Sequence, residues 1–534
     1  MTKYIVVTGG VLSGLGKGIA AASIGQLFSQ DYKVVPIKCD GYLNVDPGTM
    51  NPVEHGEVFV LEDGTEVDMD FGHYERFINT SCTGRQNLTM GKVFHELYLR
   101  EREGDYLGKT VQFVPHATNY ILNWWKGIGE EQEADIVLIE IGGTVGDMEN
   151  ELYLEAARRL QAKEGKENVM FVHLTYVPIP AGVNEQKSKP TQQSVSLLMQ
   201  RGIYPDILLP RCSEMVTPAI KRKIAMFCNV SEQAVISAID VDSVYKIPLV
   251  FQEQGLVEQI NVRLQLYARP DLSEWEKLID AQEEAVKEIT IALCGKYTAL
   301  EDSYASVVEA LKHCEAHEKV HVVIKWVDTE HIDEESIAAE LKGVQGVIVP
   351  GGFGSRGIEG KIEVIRYCRE QKIPYLGLCY GLQLAVVEFA RHVMGLDAHT
   401  TEIDADTPEP IIDILPDKKD LHNLGGTLRL GAYPALLEKN SLAFSLYQQA
   451  EVSERHRHRY EVNPAYHSLL EKYGLTISGK SPDGRLVEFI ELSDHPYFIA
   501  TQAHPELKSS LLHPAPLFQG LVKAAKDISE KTLK

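Results

Sequence analysis

Cys379 stands in Gly377-Leu378-Cys379-Tyr380-Gly381, between a short apolar run, Tyr375–Leu378, and a helical stretch. Glycines on both sides permit a sharp strand-to-helix turn that larger side chains would block, and such a turn exposes the sulfur. It also puts the sulfur at a helix N-terminus, which favours the thiolate, the nucleophilic form. Far downstream, Gln502-Ala503-His504-Pro505-Glu506 follows the apolar run Tyr497–Ala500. In extended chain residues two apart share one face, so Glu506 is expected to orient the His504 imidazole toward Cys379. Such a trio could hydrolyse an amide through a thioester. Val349-Pro350-Gly351-Gly352-Phe353-Gly354 would offer bare backbone amides to the tetrahedral oxyanion.

A second group of residues suits phosphate. Gly9-Gly10-Val11-Leu12-Ser13-Gly14-Leu15-Gly16-Lys17-Gly18 lies between the apolar strand Tyr4–Thr8 and a helical stretch, Gly18 to Phe28. A glycine-rich turn there points N–H groups at an anion, at the positive end of the helix, and Lys17 adds a full charge. Val11 occupies the first glycine position of the usual P-loop pattern, and Gly18 replaces the Ser/Thr that would touch Mg²⁺. The metal therefore needs other hard oxygens. The candidates are Asp70, in Asp68-Met69-Asp70-Phe71-Gly72-His73-Tyr74, and Glu140, near the end of the run Asp135–Ile141 and just before Gly142-Gly143-Thr144. Open α/β sheets place their chemistry at such strand ends. Lys38, Lys187, Lys189 and Lys223 fall in expected loops and suit a second triphosphate.

Two segments must position these groups. Apolar runs at Tyr4–Thr8, Val34–Ile37, Asp135–Ile141 and Val169–Leu174 alternate with helix-length segments, the rhythm of a mostly parallel sheet covered by helices. The same rhythm restarts at Ile289–Gly295 and continues through the helix Tyr304–His313 and the strands His321–Trp326, Gly346–Val349 and Tyr375–Leu378. The intervening Ala268–Lys287 is charged and periodic, and reads as a linker with a short helix starting near Ser273. The expected division is 1–267, a linker 268–288, and 289–534.

A chain of 534 residues exceeds one ordinary core. With 44% hydrophobic and 24% charged residues it has the composition of a soluble globular protein. The net charge of −23 disfavours polyanions and so a nucleic-acid partner, but small phosphorylated ligands need only a few well-placed lysines. The eight cysteines show no CxxC pair, which predicts a reducing compartment without a disulfide framework or cysteine zinc site. With neither a signal-like start nor an apolar run of ~18 residues, a cytoplasmic protein with no membrane association is expected.

The blocks GGVLSGLGKG, KCDGYLNVDPGTMNPVEHGEVFVLEDGTEVDMDFGHYERF, EIGGTVGDMEN and KSKPTQQS resemble the signature blocks of CTP synthases, in the family's order, and the resemblance runs to about residue 267. Cys379, His504 and Glu506, in that chain order, resemble class I glutamine amidotransferases over residues 289 to about 525. The fold implied is α/β: two doubly wound domains, a P-loop-like synthetase domain followed by an amidotransferase domain. The resemblance implies ATP at Gly14, Leu15, Gly16, Lys17, Gly18, Ile19 and Asp70, with Ile239, Asp240 and Val241 at the adenine, and Mg²⁺ on Asp70 and Glu140. It implies UTP at Ser13, Lys187, Ser188, Lys189, Pro190, Thr191, Gln192 and Lys223, with Asp147, Met148 and Glu149 contacting the pyrimidine nucleotide, CTP above all. Gly352, Tyr380, Gly381, Leu382, Gln383, Glu402 and Arg459 would bind glutamine.

The implied reaction is glutamine hydrolysis, ATP-dependent phosphorylation of the uracil 4-oxygen, and displacement of that phosphate by ammonia shielded from bulk water. The resemblance further implies activation by GTP, with Arg429 a candidate contact, inhibition by CTP, and homotetramers or filaments. Departures are Gly41, where the family's DPYxN block has proline, Ala503 and Leu507, where aromatics are common, and a short stretch Asp404–Leu424. The competing readings are another glutamine-dependent amidoligase of the cobyrinate amidase type, and a P-loop switch or scaffold ATPase with an inactive amidotransferase tail. The pyrimidine-type blocks at 40–76 and 142–149 speak against the first, and the intact trio speaks against the second.

Overall fold

The apolar runs of the first segment become adjacent strands because each buries both faces. In the computed structural model, which describes residues 2–48, 50, 56–296, 301–352, 354–414 and 428–532, Val34–Asp40 and Ile136–Ile141 are buried at every position. Tyr4, Val6, Val35, Ile37, Val137, Ile139 and Phe171 point to one face, into a core shared with the helices Met90–Glu103, Thr118–Glu131 and Glu151–Glu164. Ile5, Val7, Leu138 and Val172, of the opposite parity, are equally buried. That is why these strands read as continuous apolar runs with no alternation. Among the described residues the sheet has seven strands, all parallel, in the order Asn87–Thr89, Val34–Asp40, Ile136–Ile141, Lys3–Gly9, Val169–Tyr176, Ile207–Cys212, Ala238–Ile239. Neighbours of the central strand Lys3–Gly9 come from far along the chain, the topology that opens a crevice at the strands' C-terminal ends.

The second segment builds a nine-stranded sheet. Its strands His321–Asp328, Glu288–Gly295, Gly346–Val349, Tyr375–Leu378 and Phe498–Thr501 are parallel. Val487–Glu491, Thr476–Lys480, Arg429–Leu437 and Glu451–His458 extend it antiparallel, so this sheet is mixed. Its two faces carry separate cores, one containing Val347, Val349 and Tyr375, the other Ile291, Ile348 and Leu376.

The chain divides into two compact units, Met1–Thr49 with Asp70–Glu276, and Met50–Met69 with Lys277–Lys534. The expected domain 1–267 is therefore interrupted. The described part of the inserted segment is a hairpin, Phe59–Val60 paired antiparallel with Glu66–Val67, and it packs on the strand Glu451–His458. Within 268–288 the helix Ser273–Glu283 starts where expected, and its Trp275 is buried with the indole N–H donating to Tyr245 O at 2.7 Å. No described helix is long and apolar enough to cross a membrane.

Candidate active sites

In the first unit the strand Lys3–Gly9 runs into a loop where Val11, Gly14 and Gly16 have φ of 81°, 75° and 87°. For Val11 such a backbone costs about 1–2 kcal/mol. The helix Lys17–Ser29 starts immediately after. Leu15 is buried and anchors the loop, Ser13 and Gly14 are exposed, and Ile19 is half-buried. Lys17 Nζ donates to Gly143 O at 3.0 Å, tying this loop to the glycines that follow Ile136–Ile141. Burial lowers the Lys17 pKa, against the opposing pull of Glu140.

The structure also accounts for Gly18. A Cβ there would lie 2.0 Å from Asp70 Oδ1, so the Asp70 carboxylate fills the volume that a Ser or Thr side chain would need. Asp70 begins the helix Asp70–Ile78 and accepts a hydrogen bond from Lys38 Nζ, which also donates to Glu140 Oε1 at 3.0 Å and stands 3.7 Å from Asp40 Oδ1. Tyr74 OH donates to the other Glu140 oxygen. Burial pushes the Asp40 and Glu140 carboxyls up. At Asp70 burial pushes the same way but is outweighed by Lys38 and His73, which hold its pKa low. Lys38 is thus not a loop lysine as expected: it sits inside a strand, buried, at the centre of three carboxylates.

Among the described residues no group of three or more His, Cys, Asp or Glu side chains forms a metal cluster. Asp70 and Glu140 nonetheless present hard oxygens already gathered around one cation, the Lys38 ammonium. That donor set fits Mg²⁺, which takes one or two carboxylates and completes its shell with water and phosphate.

The other expected nucleotide residues spread over loops, helix starts and a strand end of the same unit; Lys189 and Lys223 are not loop lysines as expected, since Lys189 begins the helix Lys189–Gln200 and Lys223 lies within the helix Pro218–Cys228. Asp147 Oδ2 accepts the Thr144 N–H at 2.9 Å, Met148 is exposed, and Glu149 backs on Gly41, where a Cβ would come 2.6 Å from Glu149 Cβ. Gly41 thus allows a close approach of two loops. Ser188, Lys189, Pro190, Thr191 and Gln192 form the start of the helix Lys189–Gln200, with Thr191 Oγ1 donating to Tyr176 O at 3.0 Å and Gln192 Nε2 to Ser188 Oγ at 3.1 Å. Lys187 pairs with Glu185 at 2.7 Å, and Lys187 first, with help from Lys223, holds that carboxyl below its usual range. Ile239 ends the last strand and Val241 is half-buried, while Asp240 accepts from Arg211 Nε at 2.6 Å. Arg211 Nη1 comes 3.3 Å from the place of a Cβ on Gly16. An arginine inside the apolar run Ile207–Cys212 gave no sequence signal for that position.

In the second unit Cys379 has φ 51° and ψ −97°, a strained turn between the strand Tyr375–Leu378 and the helix Tyr380–His392. Such a backbone costs about 1–3 kcal/mol. Gly381 makes it possible, since a Cβ there would fall 2.2 Å from Val349 O. His504 Nδ1 lies 2.7 Å from Glu506 Oε1. This alignment does not come from extended chain: the strand ends at Thr501, and Pro505–Lys508 is a 3₁₀ turn that brings Glu506 back under the ring. Burial lowers the His504 pKa, but the Glu506 carboxylate and Cys379 sulfur, both bonded to the ring, hold it well above the ordinary histidine value. A Cβ on Gly351 would come 2.8 Å from His504 Cε1, so the glycine loop runs against this pair; Phe353 lies outside the described residues.

Glu402 accepts the Gly354 N–H at 3.0 Å. Its charge, after burial, pushes the Tyr380 phenol up, and that buried hydroxyl has no hydrogen-bond partner among the described residues. Burial, then the Glu402 charge, likewise pushes the Tyr460 phenol up, and the Arg459 charge opposes them. Gln383 Nε2 donates to Tyr460 O at 2.9 Å and Gln502 Oε1 at 3.3 Å, and Gln502 Nε2 lies 3.7 Å from Cys379 Sγ. Nothing in the spacing of the His504 motif marks Gln502 as a neighbour of the sulfur. Leu382 is wholly buried in the core, so only its backbone can reach a ligand. Arg429, the expected GTP contact, is also buried, with Nη2 donating to Glu488 Oε1 at 2.6 Å. Gly425 to Thr427, and Asp404–Leu424 from residue 415 onward, lie outside the described residues.

The comparisons with known proteins decide the family. Residues 3–266 match the model for the CTP synthase N-terminus and residues 299–524 that for class-I glutamine amidotransferase. A CTP synthase of Methanopyrus kandleri is 53% identical over 98% of this chain and 99% of its own length. One of Pyrococcus furiosus is 52% identical over 99% of both. The chain belongs to the CTP synthase family. A solved glutaminase domain of a Trypanosoma brucei CTPS with bound acivicin, 37% identical, covers 45% of this chain and 94% of that one at a TM-score of 0.43. The family's two modules coincide with the two sites: the phosphate loop and its acids lie in the first match, and Cys379, His504 and Glu506 in the second.

Proposed function

We propose that this member of the CTP synthase family divides its reaction between Cys379 and the phosphate loop at Lys17. It is a glutamine-hydrolysing ligase that aminates UTP to CTP at the expense of ATP. The observation that carries the division is Cys379, on a strained turn in the same unit as the hydrogen-bonded His504–Glu506 pair. The Cys379 sulfur attacks the glutamine amide carbon, forming a tetrahedral intermediate whose oxyanion the Gly351–Gly352 backbone faces. His504 gives its proton to the departing nitrogen, ammonia leaves, and a thioester remains. Water, deprotonated by His504, then releases glutamate. Glu402 and Arg459 suit the amino and carboxyl groups of glutamine.

At the other site Lys17 and the loop from Ser13 to Ile19 hold ATP, with Ile239, Asp240 and Val241 toward the base. Lys187 to Gln192 and Lys223 hold UTP, and Asp147 to Glu149 the pyrimidine nucleotide. The γ-phosphoryl group passes to the uracil 4-oxygen, which makes that oxygen a good leaving group. Ammonia adds at carbon 4 and phosphate departs. Lys17 balances charge on the transferring group. Asp70 and Glu140 would hold Mg²⁺, which supplies further charge neutralisation on the phosphates when bound. Regulation by GTP and CTP, a homotetramer that can assemble into filaments, and a place in the cytoplasm complete the proposal; family membership supports it.

Asp70→Asn and Glu140→Gln are each expected to raise the Mg²⁺ concentration for half-maximal CTP formation by about tenfold or more, since each removes one hard anionic ligand. Titrating Mg²⁺ with ammonium chloride as nitrogen source reads this without the glutaminase. Unchanged Mg²⁺ dependence in both variants would place the ligands elsewhere. Gly18→Ala tests the same geometry from the other side: its methyl group would meet the Asp70 carboxylate. Loss of most activity with either nitrogen source is expected, and a fully active Gly18→Ala protein would contradict the arrangement. The activity itself is tested by the absorbance change on converting UTP to CTP with ATP, Mg²⁺ and glutamine; no change with the purified chain would refute it.

A further inference from the structure

The strand Glu451–His458 is the edge of the nine-stranded sheet, bonded on one side only, to Arg429–Leu437. Its outer carbonyls are turned to the glutaminase centre. Arg455 O accepts the His504 N–H at 2.7 Å, and Arg457 O lies 3.9 Å from Cys379 Sγ. The side chains of the same two residues are held by the hairpin Phe59–Val60/Glu66–Val67, nearly four hundred positions away in sequence. Arg455 Nε donates to Glu62 Oε1 at 3.2 Å and its Nη1 to Val60 O at 3.1 Å, while Arg457 Nε donates to Glu66 Oε1 at 2.7 Å. Glu62 also pairs at 3.2 Å with Lys508, in the turn that carries Glu506.

The backbones meet as closely as they can. Ala432 N–H donates to Glu62 O at 3.0 Å, and a Cβ on Gly431 would lie 2.5 Å from Gly64 N. Gly431 and Gly64 both have positive φ, 91° and 82°. Every member of the trio is thus one link from a hairpin carboxylate: His504 through Arg455, Cys379 through Arg457, Glu506 through Lys508. The Arg455 guanidinium is almost wholly buried, so removing the Glu62 charge weakens the hold on a group that water cannot reach and loosens the strand that carries it.

We infer that Glu62 and Glu66 are positioning residues for glutamine hydrolysis, and that the hairpin completes a catalytic centre otherwise built from residues after 277. This rests on the reading of Cys379, His504 and Glu506 as the glutaminase trio. Displacing a reacting group by a fraction of an ångström slows the chemical step far more than it weakens binding.

The test uses the full chain with Glu62→Gln, Glu66→Gln and the double substitution. Each single variant is expected to lower kcat for glutamine hydrolysis about tenfold and leave KM for glutamine within about twofold, and the double variant to lose about a hundredfold. CTP formation from ammonium chloride should stay at the parent rate in all three. Exchanging the partners, Glu66→Arg with Arg457→Glu, should return a large part of the loss. If the double variant melts early, Glu66→Gln carries the test, because its arginine partner is the more exposed, 22% for Arg457 against 2% for Arg455. Parent-like kcat in the double variant, a rise in KM alone, or an equal fall of both activities would overturn the inference. Hydrolysis surviving Cys379→Ala would instead remove the trio reading, and this inference with it.

Discussion

Cys379→Ala is expected to lose glutamine hydrolysis and glutamine-dependent CTP formation by about 10⁴-fold or more, the scale on which removing a nucleophile acts. The same protein should form CTP from ammonium chloride at alkaline pH at close to the parent rate. The sulfur takes part only in freeing ammonia, and the phosphate loop and its acids lie in the other unit. The substitution leaves the fold in place, since alanine at φ 51° bears much the same backbone strain as cysteine. His504→Ala should give the same split, because its proton transfers belong to the same half-reaction. Steady-state rates with the two nitrogen sources, measured in parallel, check both. Loss of ammonia-dependent synthesis in a well-folded Cys379→Ala protein would contradict the separation of sites, and retained glutamine hydrolysis would remove Cys379 as nucleophile.

Lys17→Ala should abolish CTP formation from either nitrogen source, by about 10³-fold, the cost of removing a preorganised charge from a transferring group. Lys17 Nζ donates to Gly143 O, so the amine is positioned by the protein itself, and the phosphates of ATP would offset the burial that lowers its pKa. Glutamine hydrolysis measured without nucleotides should stay at the parent level. Near-normal turnover of the variant with ammonium chloride and ATP would sink the assignment of the phosphate loop.

What could be read in the sequence, and what could not, follows from the range of the interactions. The Cys379 turn and the phosphate loop were legible because both are local: glycines at fixed offsets from one reactive residue leave few alternative backbones. The strands were legible because burial on both faces leaves unbroken apolar runs. Lys38 was misplaced for the same reason. It follows the apolar run Val34–Ile37 and so read as a loop residue, while the strand continues to Asp40 and the acids that surround it come from 40, 70 and 140. The place of Gly18 needed Asp70 in space, where the sequence showed only a missing hydroxyl. His504 and Glu506 were paired correctly for a different cause, the 3₁₀ turn in place of extended chain. The hairpin was invisible as part of the second unit, because its ion pairs join residues nearly four hundred positions apart and nothing local marks either partner.

Amide-¹⁵N-labelled glutamine, given to the purified chain with ATP, Mg²⁺ and UTP, tests the central claim most directly. The amide nitrogen should appear in CTP, which becomes heavier by one mass unit, with one glutamate and one ADP formed for each CTP. Glutamate without CTP, or CTP of unlabelled mass, would contradict it.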